Sequence, residues 1–536
     1  MTPVQSHVPL SAQVRRRNLD RLQEEEYDLL VIGGGINGAA VARDAAMRGL
    51  RVAMIEKGDF ASGTSSKSSK LIHGGIRYLQ QGNFRLVRVA CRERDLLRRQ
   101  LAPHLVEPLA FLFPVYRGDP VGFVTLGLGM WLYDLLAIFR NIRVHRMLNA
   151  KRLRTVEPGL RQEALRGAAL YYDCFTDDAR LTLETVLAAH EEGAVVANYV
   201  ELKEFIKQDG RIVGAVLQDC VAGARIEVRS RCVVNVTGPW ADYVRKLDDP
   251  SAKPCLRLTK GVHIIVLRSR LPVAQAIVMH SPRDKRVLFA IPWDGHTLIG
   301  TTDTDFDGYP DDVKADKQDL DYLLEAANWF FPMAKLEVGD VVGTYAGLRP
   351  LVADAGTIDP SAVSREEEIF EAASGLITLG GGKLTTHRLI AVEIVNIVLR
   401  RLGLQRRRGE RSSLTASKPL PGGRSKDQDA LARQFAAQDG CGLTSAQIEH
   451  LARRYGSRTI EVLDLVKADA HLRKLVVPGM PDIWAEAAHA AQAEMALKPD
   501  DVLLRRTQIG LKDPVNSSQA TESVKETIIR FGGSIS

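Results

Sequence analysis

Short apolar runs alternate with helix-spaced stretches over the first part of the chain, which predicts strands and helices in turn. Leu29, Leu30, Val31 and Ile32 form a continuous apolar run that passes through Gly33-Gly34-Gly35-Ile36-Asn37-Gly38 into small residues with helical spacing. A second run over 51–55 ends at Glu56. Later runs at 194–202, 211–217 and 225–228 predict a meander that closes on 232–238 and returns the chain to the first sheet. From about 258 to 345, runs such as 263–267 and 287–291 predict an antiparallel sheet. Beyond Gly382 the apolar period lengthens to that of a helix over 389–402. A charged stretch at 405–411, read as a solvated linker, and a Pro/Gly break at 418–423 then open a section with helical patterns to about 531.

The fold class predicted is α/β, with a Rossmann-like dinucleotide-binding domain, an antiparallel β-sheet capping domain and an α-helical C-terminal domain. Residues 1–26 form an N-terminal arm, expected to be flexible and to end in a short surface helix. Residues 27–411 form the central region, with cofactor-binding parts at about 27–110, 150–257 and 346–400 and the capping part at about 258–345; residues 412–536 form the helical domain.

The junction after Ile32 carries the first chemical signal. Gly33 allows a tight turn, Gly35 lets the backbone approach a pyrophosphate, and Gly38 lets the helix pack close to the strand with its N-terminus facing the anion. Glu56 closes the second strand about twenty residues later, where an acid accepts hydrogen bonds from an adenosine ribose. Chance would have to assemble strand, glycines, helix, second strand and acid together. The fingerprint alone does not choose between a nicotinamide and a flavin. The hydroxyl- and glycine-rich stretch at 60–75, too polar for a core strand, reads as a wrap around a large polar cofactor.

Composition narrows the partners. The 536 residues suffice for two or three domains, and the net charge is +7 with a pI of about 9.0. Basic residues are spread among nearly as many acids and not interleaved with stacking aromatics, which argues against nucleic acid. The six cysteines are scattered without a CxxC pair, which fits a reduced cytosol and predicts no metal site. No signal-peptide run precedes the N-terminal arginines. The stretch 121–139 is strongly apolar and is followed by Arg140, Arg143 and Arg146. Asp134 and three glycines count against a membrane span, leaving two readings: a buried helix, or a patch that lies on a membrane with a basic rim.

The chain resembles the FAD-dependent glycerol-3-phosphate dehydrogenases of the aerobic, respiratory type. The resemblance rests on IGGGINGAAVARDAAMRG (32–49), SSKLIHGGIRYL (68–79), DDARL (177–181), NVTGPWAD (235–242), KGVHIIV (260–266), IPWDGHTLIGTTD (291–303), TYAGLRPL (344–351) and GGKLTTHR (381–388), in the family's order along nearly the whole chain. Ala40 stands where the family usually has glycine and His387 where it usually has tyrosine; the latter is expected to alter hydrogen bonding near the flavin. The resemblance implies FAD, held non-covalently. Its implied contacts are Gly33, Gly35, Asn37, Gly38, Glu56, Lys57, Thr64, Ser65, Ser66, Ser69, Lys70, Leu71, His73, Gly74, Gly75, Val200, Thr237, Gly238, Trp240, Gly382, Lys383, Leu384 and Thr385. The ARRYGSR and EMALKPDDVLLRRT segments resemble the family's helical C-terminal domain, and no calcium-loop pattern is present.

The implied substrate, glycerol 3-phosphate, brings a phosphate that needs cations and a secondary alcohol that needs a proton acceptor. Arg77, Arg349, Arg365 and Lys383 are the candidate phosphate ligands, with Tyr78 adding a hydroxyl. His263 is the first candidate base and His73 the second, though His73 reads more as a flavin contact. Arg349 and Lys383 are also expected to stabilise developing negative charge. The expected reaction is oxidation to dihydroxyacetone phosphate by hydride transfer to FAD, with electrons passing to membrane quinone. A glycerol-3-phosphate oxidase that reduces oxygen to hydrogen peroxide is the close alternative. An amine-oxidising flavoprotein and a non-catalytic binding protein stand further off. The expected location is the cytoplasm, peripherally on the inner face of the membrane, and a homodimer is left open.

Overall fold

The computed structural model describes residues 8–76, 79, 82–137, 141–353, 367–404, 412–437 and 441–533. A six-stranded sheet runs Glu368–Glu371, Ile377–Gly380, Val233–Asn235, Leu29–Ile32, Val52–Ile55, Val195–Ala197. All its pairings are parallel except that of the edge strand Glu368–Glu371. The central strands are apolar at every position because both faces are covered. Helices Ile36–Met47, Asp178–Glu191 and His387–Arg401 share one core with Val31, Met54 and Val234. A four-stranded sheet shares the other core with Leu30, Ile32, Ala53 and Ile55.

The stretch 194–202, read above as one strand, is broken. Val195–Ala197 joins the parallel sheet and Val200–Gln208 begins the meander. Between them Asn198 is buried and Tyr199 adopts a φ of +54°. The meander's other strands are Arg211–Asp219 and Arg225–Ser230.

A ten-stranded, largely antiparallel sheet forms the cap among the described residues. It contains Leu256–Leu267, Ala276–His280, Val287–Trp293, His296–Gly300 and Val341–Val352, but also Glu107–Tyr116 and Leu165–Phe175. The expected boundaries had placed those last two outside the cap. They belong to it because alternate side chains feed its two cores: Leu112 and Ala168 join Ile264 and helix Lys317–Phe330, while Phe111, Phe113 and Tyr171 join Ile265 and helix Phe123–Leu136.

The N-terminal segment differs from the flexible arm expected of it. Ala12–Glu24 is a packed helix capped by Ser11, with Val14, Arg15, Asn18 and Leu22 buried. Arg15 pairs with Asp219 at 2.5 Å and donates to the Asn198 and Tyr199 carbonyls. C-terminal helices Ser445–Tyr455, Thr459–Ala468, Trp484–Ala493 and Pro514–Gly532 build the cores of the last region. The basic run 405–411 lies outside the described residues.

Candidate active site

The sheet and the helix Ile36–Met47 meet in a turn that only glycine fits. Gly33 has a φ of +114°, and a Cβ there would lie 2.7 Å from the Val236 carbonyl oxygen; a Cβ on Gly38 would lie 1.8 Å from that of Gly33. The helix N-terminus therefore sits directly over the strand end and faces a cavity of about 620 Å³. Glu56 lines it, its carboxylate accepting from the Gly34 and Gly58 amides at 2.8 Å each, with burial raising its pKa. Ile36 N–H donates to Ser65 Oγ at 2.9 Å. Asn37 Oδ1 and Trp240 Nε1 are buried at this wall without a hydrogen-bond partner among the described residues. A narrow glycine turn, an acid at the second strand and unmet polar atoms along the wall fit an FAD.

A second cavity, of about 520 Å³, adjoins the first along Gly381, Gly382, Lys383 and Leu384. Pairing of Leu256–Leu267 with Val341–Val352 sets His263 opposite Tyr345, Gly261 opposite Gly347 and Thr259 opposite Arg349. The Tyr345 ring stacks on His263 with centroids 4.8 Å apart, and its hydroxyl donates to the Ser68 carbonyl at 2.7 Å. Ser69 Oγ lies 2.9 Å from His263 Nε2. Burial, helped by the charges of Arg349 and Lys70, pushes the His263 pKa well below its ordinary value, so the ring is neutral at pH 7. The Arg349 guanidinium crosses the face of Gly261, where a Cβ would be 2.5 Å away, and donates to Thr301 Oγ1 at 2.8 Å and Asp303 Oδ1 at 3.1 Å.

Not every residue expected at the cofactor reaches a cavity wall. Gly33, Gly35, Asn37, Glu56, Lys57, Ser65, Val200, Thr237, Gly238 and Trp240 line the first cavity; Ser69, Leu71, His73, Gly75 and Thr385 line the second; Thr64, Gly382, Lys383 and Leu384 line both. Gly38 shapes the turn from behind. Ser66 turns inward to the Gly63 carbonyl. Gly74 packs against Tyr133 and Cys91, its amide donating to Asp173. Lys70 points away from the cavities, because its φ of +58° sends it into the core, where it pairs with Asp178 at 2.6 Å with both side chains fully buried. His387 also lies behind the walls, its Nδ1 within 2.6 Å of the Leu384 carbonyl, and burial lowers its pKa to about 4. Arg77, Tyr78 and Arg365 lie outside the described residues.

Lys67, Arg286, Thr301, Asp303 and Tyr345 share the second cavity or its floor without having been singled out above. Period-two alternation in TYAGLRPL was the available signal: it sets Tyr345, Gly347 and Arg349 on one face. Lys67 lies in the 60–75 stretch read as a cofactor wrap but had nothing local to single it out, and Arg286 carried no signal, since only the fold brings it to this wall.

Comparison with known proteins agrees with this geometry. Residues 28–395 match the family "FAD dependent oxidoreductase", and residues 413–530 match "C-terminal domain of alpha-glycerophosphate oxidase". The chain is 37% identical to the aerobic glycerol-3-phosphate dehydrogenase of Staphylococcus haemolyticus over 503 residues, covering 93% of this chain and 89% of that one. It is 36% identical to that of Staphylococcus aureus strain USA300 over 532 residues, covering 97% and 94%. The crystal structure of the glycerol-3-phosphate dehydrogenase from Bacillus halodurans complexed with FAD superposes with a TM-score of 0.79 at 33% identity, covering 97% of this chain and 93% of that one. With its paired cavities, its glycine turn and this likeness along nearly its full length, the chain belongs to the aerobic glycerol-3-phosphate dehydrogenase family, as an FAD-dependent member.

Proposed function

We propose that this chain oxidises sn-glycerol 3-phosphate to dihydroxyacetone phosphate, with FAD accepting the hydride from the carbinol carbon and a membrane quinone taking the electrons in turn. The relatives' names supply the substrate class. The observation that carries the reading is that His263 and Arg349 line one cavity whose Gly381–Leu384 wall is shared with the dinucleotide cavity.

Each residue has a physical task in this reading. The Arg349 fork binds the phosphate or the oxygen that becomes a carbonyl, and Lys383, Lys67 and Arg286 add positive charge to the same cavity. Arg77, Tyr78 and Arg365, implied by the family resemblance, complete the phosphate ligands. His263 Nε2, which lies 2.9 Å from Ser69 Oγ on the cavity wall, takes the alcohol proton. A phosphate dianion nearby draws the depressed His263 pKa back towards neutrality, where a base is most effective. Arg349 and Lys383 offset the negative charge that develops as the C–H bond breaks.

The membrane side of the reading rests on helix Phe123–Leu136. Val124, Leu128, Trp131 and Leu135 form one exposed strip, Leu128 being 67% and Trp131 56% accessible. Exposed Arg143 and Arg146 follow it; Arg140 lies outside the described residues. No helix among the described residues is long and apolar enough to cross a membrane. The strip supports peripheral attachment, with each basic residue adding about 1 kcal/mol on anionic lipid.

Because residues 413–530 match the C-terminal domain of alpha-glycerophosphate oxidase, oxygen stays as the second acceptor to test. Anaerobic mixing of holoenzyme with glycerol 3-phosphate should bleach the flavin absorbance, and a soluble quinone should restore it much faster than oxygen. Rapid recovery in oxygen with stoichiometric peroxide gives the oxidase instead, and absence of bleaching refutes the substrate.

A further inference from the structure

Two loops build the adenosine end of the FAD cavity, and both are gripped from behind by the C-terminal region. The first is 56–62, which carries Glu56 and Lys57 into the cavity and lies against the glycine turn through Ala61 N–H and the Gly34 carbonyl. The second is the turn 197–200, which carries Val200. The loops are tied together by Tyr199 N–H to the Gly58 carbonyl at 2.8 Å and Val200 N–H to the Glu56 carbonyl at 2.7 Å.

Behind this pair, Asp59 is fully buried and faces two arginines of the segment Asp501–Arg506. Arg505 Nε donates to Asp59 Oδ2 at 2.6 Å, and Arg506 reaches both carboxylate oxygens, with Nη2 3.0 Å from Oδ1. The turn has its own anchors. Asn198 Nδ2 lies 3.1 Å from Asp59 Oδ1 and 2.9 Å from the Met495 carbonyl, while the Tyr199 hydroxyl donates to Asp501 Oδ1 at 2.6 Å. Asp501 is held in turn by Arg505 Nη2 at 2.6 Å.

We propose that the C-terminal region locks the adenosine half of the FAD site, with Asp59, Asn198 and Tyr199 as the positioning residues through which it acts. Buried arginine–carboxylate pairs are a costly way to gain stability, because desolvation consumes much of the attraction. What a two-nitrogen fork provides instead is direction, fixing the plane and position of the carboxylate. Asp59 lies three residues beyond Glu56 on the same short loop, so fixing one constrains the other. Removing the arginines strands a buried carboxylate, and the loop relieves it by opening to water. Opening separates Glu56 and Val200 from the cofactor.

The test measures release of FAD from holoenzyme, as the rise in free-flavin fluorescence after dilution, beside the melting temperature. The double variant Arg505→Gln/Arg506→Gln is expected to release FAD at least tenfold faster, and Tyr199→Phe several-fold faster. Arg48→Gln is the control: Arg48 pairs with Asp44 at 2.7 Å, is buried like Arg506, and sits at the far end of the dinucleotide helix away from both loops. It is expected to lower the melting temperature without changing the release rate. The proposal is overturned if the double variant retains FAD like the parent, or if Arg48→Gln sheds it equally fast at a matched loss of melting temperature. If the double variant does not fold, Tyr199→Phe decides alone, and a parental release rate in it overturns the proposal.

Discussion

His263 is enclosed by Tyr345 on one face, by the Gly300 backbone behind and by Ser69 at Nε2, so its ring has one orientation. A base fixed in this way contributes to the rate more than to binding. We expect His263→Asn to lower kcat by about 10²–10⁴-fold with little change in KM, measured by steady-state assay with a soluble quinone. Arg349→Lys should instead raise KM for glycerol 3-phosphate by about tenfold or more, since a point charge does not reproduce the fork that also meets Thr301 and Asp303. Behind the base, Lys70→Met leaves the fully buried Asp178 without its cation and should cost about 3–5 kcal/mol in a denaturation experiment. Lys70→Met/Asp178→Leu should recover part of that loss, because Asp178 also accepts from Ser68. The family resemblance, together with the chemistry of the substrate it implies, pointed to His263 and Arg349. It gave no sign of Lys70's orientation, which depends on a single positive φ in a loop.

At the scale of elements, the helix Phe123–Leu136 resolves two readings into one. Leu126, Met130 and Tyr133 are buried against the cap while Leu128 and Trp131 face outward, so it is both a core helix and an exposed apolar strip. Asp134, which argued against a membrane span, is buried and binds inward: it accepts from Asn141 Nδ2 at 2.6 Å and His145 Nδ1 at 2.7 Å, pinning the basic segment that follows. Leu128→Glu/Trp131→Glu should therefore abolish flotation with anionic liposomes while flavin content and soluble-acceptor activity stay at the parental level; unchanged flotation would refute attachment through this face. Alternation along 29–55 was enough to place the parallel strands, because each is buried on both faces and bounded by glycine or acid. The cap's inclusion of Glu107–Tyr116 and Leu165–Phe175 was not legible, because pairing across such separations depends on complementarity of whole faces and not on any local signal. A helix at the N-terminus was expected, but as a short surface one; its packing was not legible for a related reason, since Arg15 is buried on Asp219 more than two hundred residues away.

At the scale of the whole molecule, two pairs of buried histidines shift in opposite directions. In the cofactor and cap region burial holds His263 and His387 neutral, lowering His387 to about 4. In the C-terminal region burial also opposes charge on His450 and His489, but Glu486 and Asp482 for the first, and Glu494 and Glu461 for the second, outweigh it and raise both. The two groups respond to pH with opposite sign. A histidine whose folded pKa lies below its unfolded value costs nothing above about 6.5; as pH falls from there, the unfolded chain binds a proton the folded one refuses, so stability drops. For His387 this loss reaches on the order of 3 kcal/mol by pH 4. The raised pair contributes stability that is fully present below about 6.5 and is lost as pH climbs through the folded values. Their carboxylate partners stay ionised at pH 5, with Glu461 lowered to about 2 and Glu494 also held low. Acid should therefore loosen the cofactor side first. On going from pH 7.5 to 5.5 the flavin-release midpoint in a thermal ramp is expected to fall by several degrees, while amide-exchange protection in helix Trp484–Ala493 is retained. His387→Tyr, which removes one titrating group at a buried position, should shrink that fall. An equal flavin-release midpoint at both pH values would mean that the neutral histidines exert no control over the acid stability of the cofactor region.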